Sequence, residues 1–343
     1  MTSMLAYRML EWGRPPRSVE VDVPEPGPGQ VLVRMVASGV CATDLRVMDT
    51  PEGAVWGEVP FTLGHESAGR VAELGPGVEG LEVGDGVLVS GVLFCGRCDR
   101  CVRGLQHQCR HLRLAGHGTG DDGGLAEYLL AEARHVVPLG PLDPVAAAPL
   151  AGPGAAAYRA VQEAAPLLVP GSSAVVIGLR GPGSFAVQYL AQLTGAQVVA
   201  LDPDPDLLAD ARRWGAEEAF APDGDAAALV HELTGTGADV VLDLVATDRT
   251  LAIAVGALGA GGRVVVDGDG SGTVALGCDR LPRDGGLVCV SGCTPADLRA
   301  VVALAIAGRL AFTTTTFPFA HVDECVRALR DGDVKGCAVV TLG

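Results

Sequence analysis

Between residues 173 and 292, five short aliphatic runs recur: SAVVIG (173–178), AQVVALD (196–202), ADVVLDL (238–244), GRVVVDG (262–268) and GLVCVSG (286–292). Each is apolar at successive positions rather than alternate ones, the pattern of a strand covered on both faces. Helical stretches such as SFAVQYLAQLTG (184–195) and DLLADARRWGA (206–216) lie between them. Doubly covered strands separated by helices pair as parallel neighbours, because a parallel pair needs a crossover of about a dozen residues. The expectation is a doubly wound α/β domain over residues 153–291.

Residues 1–152 follow another rhythm. Short alternating runs, QVLVRMVASG (30–39), SAGRVAELG (67–75) and DGVLVSG (85–91), are interrupted by Gly and Pro as in a sandwich or barrel. Two further helices are expected within 292–343, a segment that can pack back on the first domain. With 41 acidic and 25 basic residues, the formal charge of -16 supplies no cationic surplus for nucleic acid or anionic membranes. No run reaches the roughly 18 apolar residues of a spanning helix. The N-terminus MTSMLAYRMLEWGRPP lacks the apolar core of a signal peptide. A cytoplasmic protein is expected, in which the 10 cysteines are thiols or metal ligands.

The segment CGRCDRCVRGLQHQC places Cys95, Cys98, Cys101 and Cys109 in a C-x2-C-x2-C-x7-C array. Four soft donors in one glycine-containing loop can close a tetrahedron around Zn(II), leaving no open position for chemistry. Free thiols or an iron–sulfur cluster are the other readings of this loop, and no second cysteine-rich segment supports electron transfer. Cys278, Cys289, Cys293, Cys325 and Cys337 read as small buried hydrophobes.

A second group is more scattered. GVCATDLRV (39–47) and LGHESAGRV (63–71) supply Cys41, Thr43, Asp44, His65 and Glu66. A thiolate and an imidazole can ligate a catalytic zinc, Asp44 can fix the ring orientation, and Thr43 offers a hydroxyl for proton transfer. The spacing of a lone Cys and a lone His would also suit two packing residues.

Taken together, the GHE and GVCATDL segments, the cysteine quartet, DGGLAEYLL (122–130), AAPLAGPGAAAYRAV (147–161) and the glycine turn at 178 resemble the zinc-dependent alcohol dehydrogenases of the medium-chain dehydrogenase/reductase family. The likeness runs through essentially the whole chain. It implies a GroES-like β-barrel catalytic domain (1–152) with a zinc lobe near 95–109, a Rossmann domain (153–291) and a returning C-terminal segment (292–343). It also implies a structural zinc, a second, catalytic zinc at Cys41 and His65 with Glu66 close by, a proton relay through Thr43, and a homodimer or homotetramer.

Three positions depart from that pattern. Gly152 stands where a third ligand is usual, so Glu66 becomes the candidate to complete the set. Arg46 stands where many relatives carry a relay histidine, and an arginine stays protonated. The dinucleotide turn reads Gly178-Leu179-Arg180-Gly181-Pro182-Gly183, with Arg180 at the middle glycine of G-x-G-x-x-G. Arg180 either pairs with the pyrophosphate from the loop's edge or lies across its place and pairs with Asp202. Asp202 ends the next strand and suits a ribose 2′-hydroxyl, and no arginine follows it to take a 2′-phosphate. NAD(H) is therefore expected over NADP(H).

Two enzymatic functions stand on these residues, beside a third reading as a binding or structural protein with no turnover. One is an NAD(H)-linked oxidoreductase that interconverts a small-molecule alcohol and carbonyl. The other keeps only the structural zinc and performs zinc-independent C=C or C=N reduction or a non-redox step.

Overall fold

Six strands form the expected parallel sheet, in the order Glu218–Phe220, Gln197–Leu201, Ser173–Ile177, Ala238–Asp243, Leu258–Val266 and Gly286–Cys289. In chain order this is 3-2-1-4-5-6, with a topological switch between the first and fourth strands and a ligand crevice beyond their carboxyl ends. Val175, Val176, Val241, Val264 and Val265 have no exposed surface, which is why the runs carry no polar alternation. Strand Glu218–Phe220 escaped the sequence because three residues at a sheet edge need no aliphatic run.

The helix after the second strand carries its signals locally. Asp204 caps it by accepting the Asp206 N–H at 3.0 Å, and Pro205 opens the first turn. Gly215 ends it in the left-handed region, φ 113°.

These coordinates are a computed structural model describing residues 2–51, 57–112, 116–268, 270–277 and 279–343. The chain divides into two units, Met1–Ala155 with Gly292–Gly343, and Ala156–Ser291. In the first unit, strand Gln30–Val40 is the hub. It pairs antiparallel with Glu66–Leu74, with Tyr128–Glu132 and, from the far end of the chain, with Cys337–Thr341. Gly86–Val89 and Val136–Pro138 extend this sheet on one side, and Thr314–Pro318 closes the other. A smaller sheet holds Arg17–Asp22, Ser3–Met9 and Phe61–Thr62. Segment 292–343 contains helices Pro295–Ile306 and Val322–Asp331, and also two strands that were not anticipated.

Cys293, Cys325 and Cys337 are buried as expected. Cys289 is exposed, because its strand is the outer edge of the parallel sheet. Cys278 lies outside the described residues.

His135 makes the first unit acid-labile. It is 3 % exposed, and its Nε2 sits 3.1 Å from the Phe94 carbonyl. Burial lowers its pKa from 6.5 to about 4. A depressed histidine binds its proton less readily in the folded chain, so its contribution is intact above about pH 6.5 and fades as pH falls toward 4. Relative to a His135→Gln variant, the wild type should lose about 2 kcal/mol between pH 7.5 and pH 5. Urea midpoints across that range measure the difference, and parallel profiles for the two proteins would refute it.

Candidate metal centres and dinucleotide turn

The cysteine quartet is held by a loop too short to fold by itself, a four-residue helix Asp99–Val102 and one turn Gln106–Gln108. Cys95 and Cys101 Sγ lie 3.9 Å apart and Cys98 and Cys109 Sγ 3.8 Å apart. The edge of a tetrahedron with Zn–S bonds of 2.3 Å is about 3.8 Å. Backbone N–H groups of Cys98 and His111 donate to Cys95 and Cys109 Sγ at 3.3 and 3.4 Å. Backbone donors at Cys101 and Arg110 pull the Cys98 thiol down to about 6. The sulfur spacing and the stabilised Cys98 thiolate fit structural zinc, while burial pushes the Cys101 thiol up to about 12.

The second cluster is assembled from the hub strand and its neighbour. Cys41 follows strand Gln30–Val40 and caps helix Ala42–Met48, where Asp44 Oδ2 accepts its N–H at 2.9 Å. Gly64, at φ 97°, makes the turn that presents His65; a Cβ there would meet Leu125 N and Ser38 Oγ at 2.6 Å. Glu66 opens the next strand opposite Gly39. Cys41 Sγ is 3.3 Å from His65 Nε2, which is 3.8 Å from Glu66 Oε1. His65 Nδ1 faces Asp44 Oδ1 at 3.3 Å, the carboxylate–histidine arrangement that orients a ligating ring. Thr43 is half-buried in the first turn of the same helix, and Arg46 is exposed.

Burial raises Cys41 to about 11 and Glu66 to about 7. Burial opposes charge on His65, yet Asp44 and Cys41 hold its pKa well above the usual range. The donors thus hold protons that a cation displaces. Glu66 Oε1 is buried with no hydrogen-bond partner, a polar atom inside the cluster left unsatisfied by the protein.

In the second unit the turn keeps its glycine geometry. Gly178 is at φ 87° and Gly181 at φ 53°, and a Cβ on Gly183 would sit 1.9 Å from the Gly178 carbonyl oxygen. Arg180 is not in the left-handed region. Its Nη2 pairs with Asp204 Oδ2 at 2.8 Å, with 61% of its side chain exposed. The pairing with Asp202 considered from sequence is not formed. Asp202 is already engaged, accepting Leu179 N–H at 2.8 Å and Asp204 N–H at 2.9 Å. The guanidinium therefore reaches past it to Asp204, whose Oδ2 is not the oxygen that caps the helix.

Residues 27–141 match the family of alcohol dehydrogenase GroES-like domains, and 181–310 match the zinc-binding dehydrogenase family. An alcohol dehydrogenase of Moraxella sp. is 31% identical over 344 residues, covering 98% of this chain and 99% of its own. An NAD-dependent alcohol dehydrogenase of Sulfurisphaera tokodaii is 35% identical over 275 residues, 77% of this chain and 78% of its own. The crystal structure of the Aeropyrum pernix alcohol dehydrogenase superposes with a TM-score of 0.90 at 33% identity, covering 98% of this chain and 100% of that one. The chain belongs to the zinc-containing alcohol dehydrogenases.

A catalytic zinc of such a dehydrogenase takes three protein ligands and keeps one position open. A Cβ on Gly152 would meet Glu66 Cγ, Cδ and Oε1, all at 2.5 Å. A Cβ on Gly39 would meet Glu66 Oε2 at 2.0 Å. The carboxylate is thus seated between two glycines, in the space a third-ligand side chain would enter. Sequence reasoning singled out Gly152 but missed Gly39. The signal available was the glycine two residues before Cys41 in a strand that otherwise has side chains to pack. Among the described residues, no fourth His, Cys, Asp or Glu adds a ligand atom close to all three.

Proposed function

We propose that this dehydrogenase oxidises a small alcohol, or reduces the matching carbonyl, with NAD(H), using a catalytic zinc held by Cys41, His65 and Glu66. The observation that carries this reading is Glu66 Oε1, buried with no hydrogen-bond partner, on a carboxylate packed where Gly152 provides no ligand. Zinc bound there would supply Lewis-acid polarisation of the alcohol or carbonyl oxygen. Asp44 fixes the His65 ring through Nδ1, so Nε2 faces Cys41 and Glu66. The Thr43 hydroxyl would accept the substrate proton while giving its own to solvent water, the acceptor in place of a histidine at position 46. Cys95, Cys98, Cys101 and Cys109 hold a second, structural zinc. Metal analysis tests the set directly: two zincs per chain support it, and one zinc held by the quartet alone refutes it.

NAD(H) occupies the turn at Gly178, with its ribose at Asp202. The Sulfurisphaera tokodaii relative, an NAD-dependent alcohol dehydrogenase, supports this choice. The Arg180–Asp204 pair is exposed and worth at most about 1 kcal/mol, whereas a charge-assisted bond to phosphate contributes about 1.5–3 kcal/mol. Arg180 therefore exchanges Asp204 for the pyrophosphate when cofactor binds. Arg180→Ala, which keeps the Cβ and removes the guanidinium, should weaken NADH binding about tenfold, about 1.4 kcal/mol. Asp204→Asn should tighten it. Calorimetric titration with NADH reads both, and an unchanged dissociation constant in Arg180→Ala would exclude the exchange.

A further inference from the structure

The end of the chain brings a second thiol to the cluster. Strand Cys337–Thr341 runs antiparallel to Gln30–Val40, with Ala338 opposite Val40, Val339 opposite Gly39 and Thr341 opposite Ala37. Cys41 keeps an extended backbone, φ -135° and ψ -173°, before helix Ala42–Met48 begins. The next rung therefore sets Cys337 opposite Cys41.

Rungs of an antiparallel ladder alternate between bonded and non-bonded pairs. Leu342 N–H donates to Val36 O at 2.8 Å, which makes 342 and 36 a bonded rung. Counting along the ladder, 340 with 38 and 338 with 40 are bonded, and 337 with 41 is non-bonded. Non-bonded rungs hold the closer pairs, with Cα atoms about 4.5 Å apart. That lies within the span of about 4.4–6.8 Å that a disulfide bridges. The pleat turns both residues to one face, together with Glu66, which lies opposite Gly39. The charges of Glu66 and Cys41 both bear on the Cys337 thiol, as this placement requires.

We propose that Cys41 and Cys337 are a redox modification site, closed to a disulfide by a peroxide-class oxidant. Cys41 is the partly exposed member and Cys337 the buried one, so Cys41 meets the oxidant first. Its sulfur attacks a peroxide oxygen, the O–O bond breaks, and Cys41 sulfenic acid and one water result. The Cys337 thiol then attacks the Cys41 sulfur. The S–O bond breaks, the S–S bond forms, and a second water leaves with the thiol proton. The two thiols lose two electrons and hydrogen peroxide gains them. Loss of the Cys41 thiolate would release the catalytic zinc. That consequence rests on the proposed function, whereas the crosslink does not.

The test treats the full-length protein with hydrogen peroxide, alkylates free thiols and digests with trypsin without reduction. Cleavage at Arg34, Arg46 and Lys335 isolates residues 35–46 and 336–343. Mass spectrometry is expected to find these peptides joined, in proportion to the peroxide dose and reversibly by dithiothreitol. In Cys337→Ser, Cys41 should instead proceed to sulfinic and sulfonic acids that dithiothreitol does not reverse. Recovery of both cysteines of the wild type as alkylated thiols overturns the proposal. Equal over-oxidation of Cys41 in wild type and Cys337→Ser also overturns it. Zinc measured on the same samples separates the two ideas: a crosslink without zinc release supports the redox pair and counts against Cys41 as a ligand.

Discussion

Glu66→Ala is expected to bind one zinc per chain and to lose at least about a thousandfold in kcat/KM for alcohol oxidation, about 4 kcal/mol of transition-state stabilisation. Among the described residues, the substitution removes the only carboxylate of the ligand set, leaving Cys41 and His65, and two ligands are one short of a catalytic zinc. The loss separates from a general folding defect through a second substitution. A Cβ at Gly152 collides at 2.5 Å with Glu66 and with nothing else among its three nearest neighbours. Glu66→Ala/Gly152→Cys therefore frees the space and fills it with a thiolate, restoring the second zinc and part of the turnover. Gly152→Cys alone keeps the collision and should impair the site. If Glu66→Ala retains two zincs and full turnover, Glu66 is not a ligand.

Cys101→Ser is expected to give the largest loss of stability. Cys101 is 5 % exposed and packs with Phe94 and the other three cysteines, so this lobe has little apolar core beyond its own ligands. Removing one thiolate opens the site, and removal of a structural metal belongs to the small class of changes costing on the order of 4–5 kcal/mol. The zinc content should fall by one and the thermal midpoint should drop. The zinc at Cys41, His65 and Glu66 should remain, because none of its ligands comes from the lobe. Unchanged melting together with unchanged zinc would show that the quartet holds no metal.

The parallel sheet was legible because burial on both faces removes every polar position from a strand, leaving marks such as SAVVIG and ADVVLDL. The quartet was legible because its donors lie within fifteen residues, so local spacing alone confines them. The short strand Glu218–Phe220 and the strands Thr314–Pro318 and Cys337–Thr341 were not. The first is three residues at a sheet edge and the second a half-exposed edge strand, while Cys337–Thr341 pairs with residues 37–40 from the far end of the chain, a ladder that local propensity does not register. The partner of Arg180 was also illegible. From sequence Asp202 was the nearest plausible carboxylate, but in the fold its oxygens cap the turn, leaving Asp204 to take the ion pair.

The sequence by itself pointed to two domains of different rhythm, to a cysteine quartet with zinc spacing and to Cys41, His65 and Glu66 as candidates. These follow from residue types and short spacings, which chemistry constrains directly. Only the tertiary structure decided that a carboxylate fills the place left by Gly152, because that rests on Gly39 in one strand and Gly152 in a distant helical turn both lacking a Cβ. It also decided that Cys337, apparently a small buried hydrophobe, opens a strand that runs antiparallel beside the one ending just before Cys41. Register, which no local pattern encodes, brings them together.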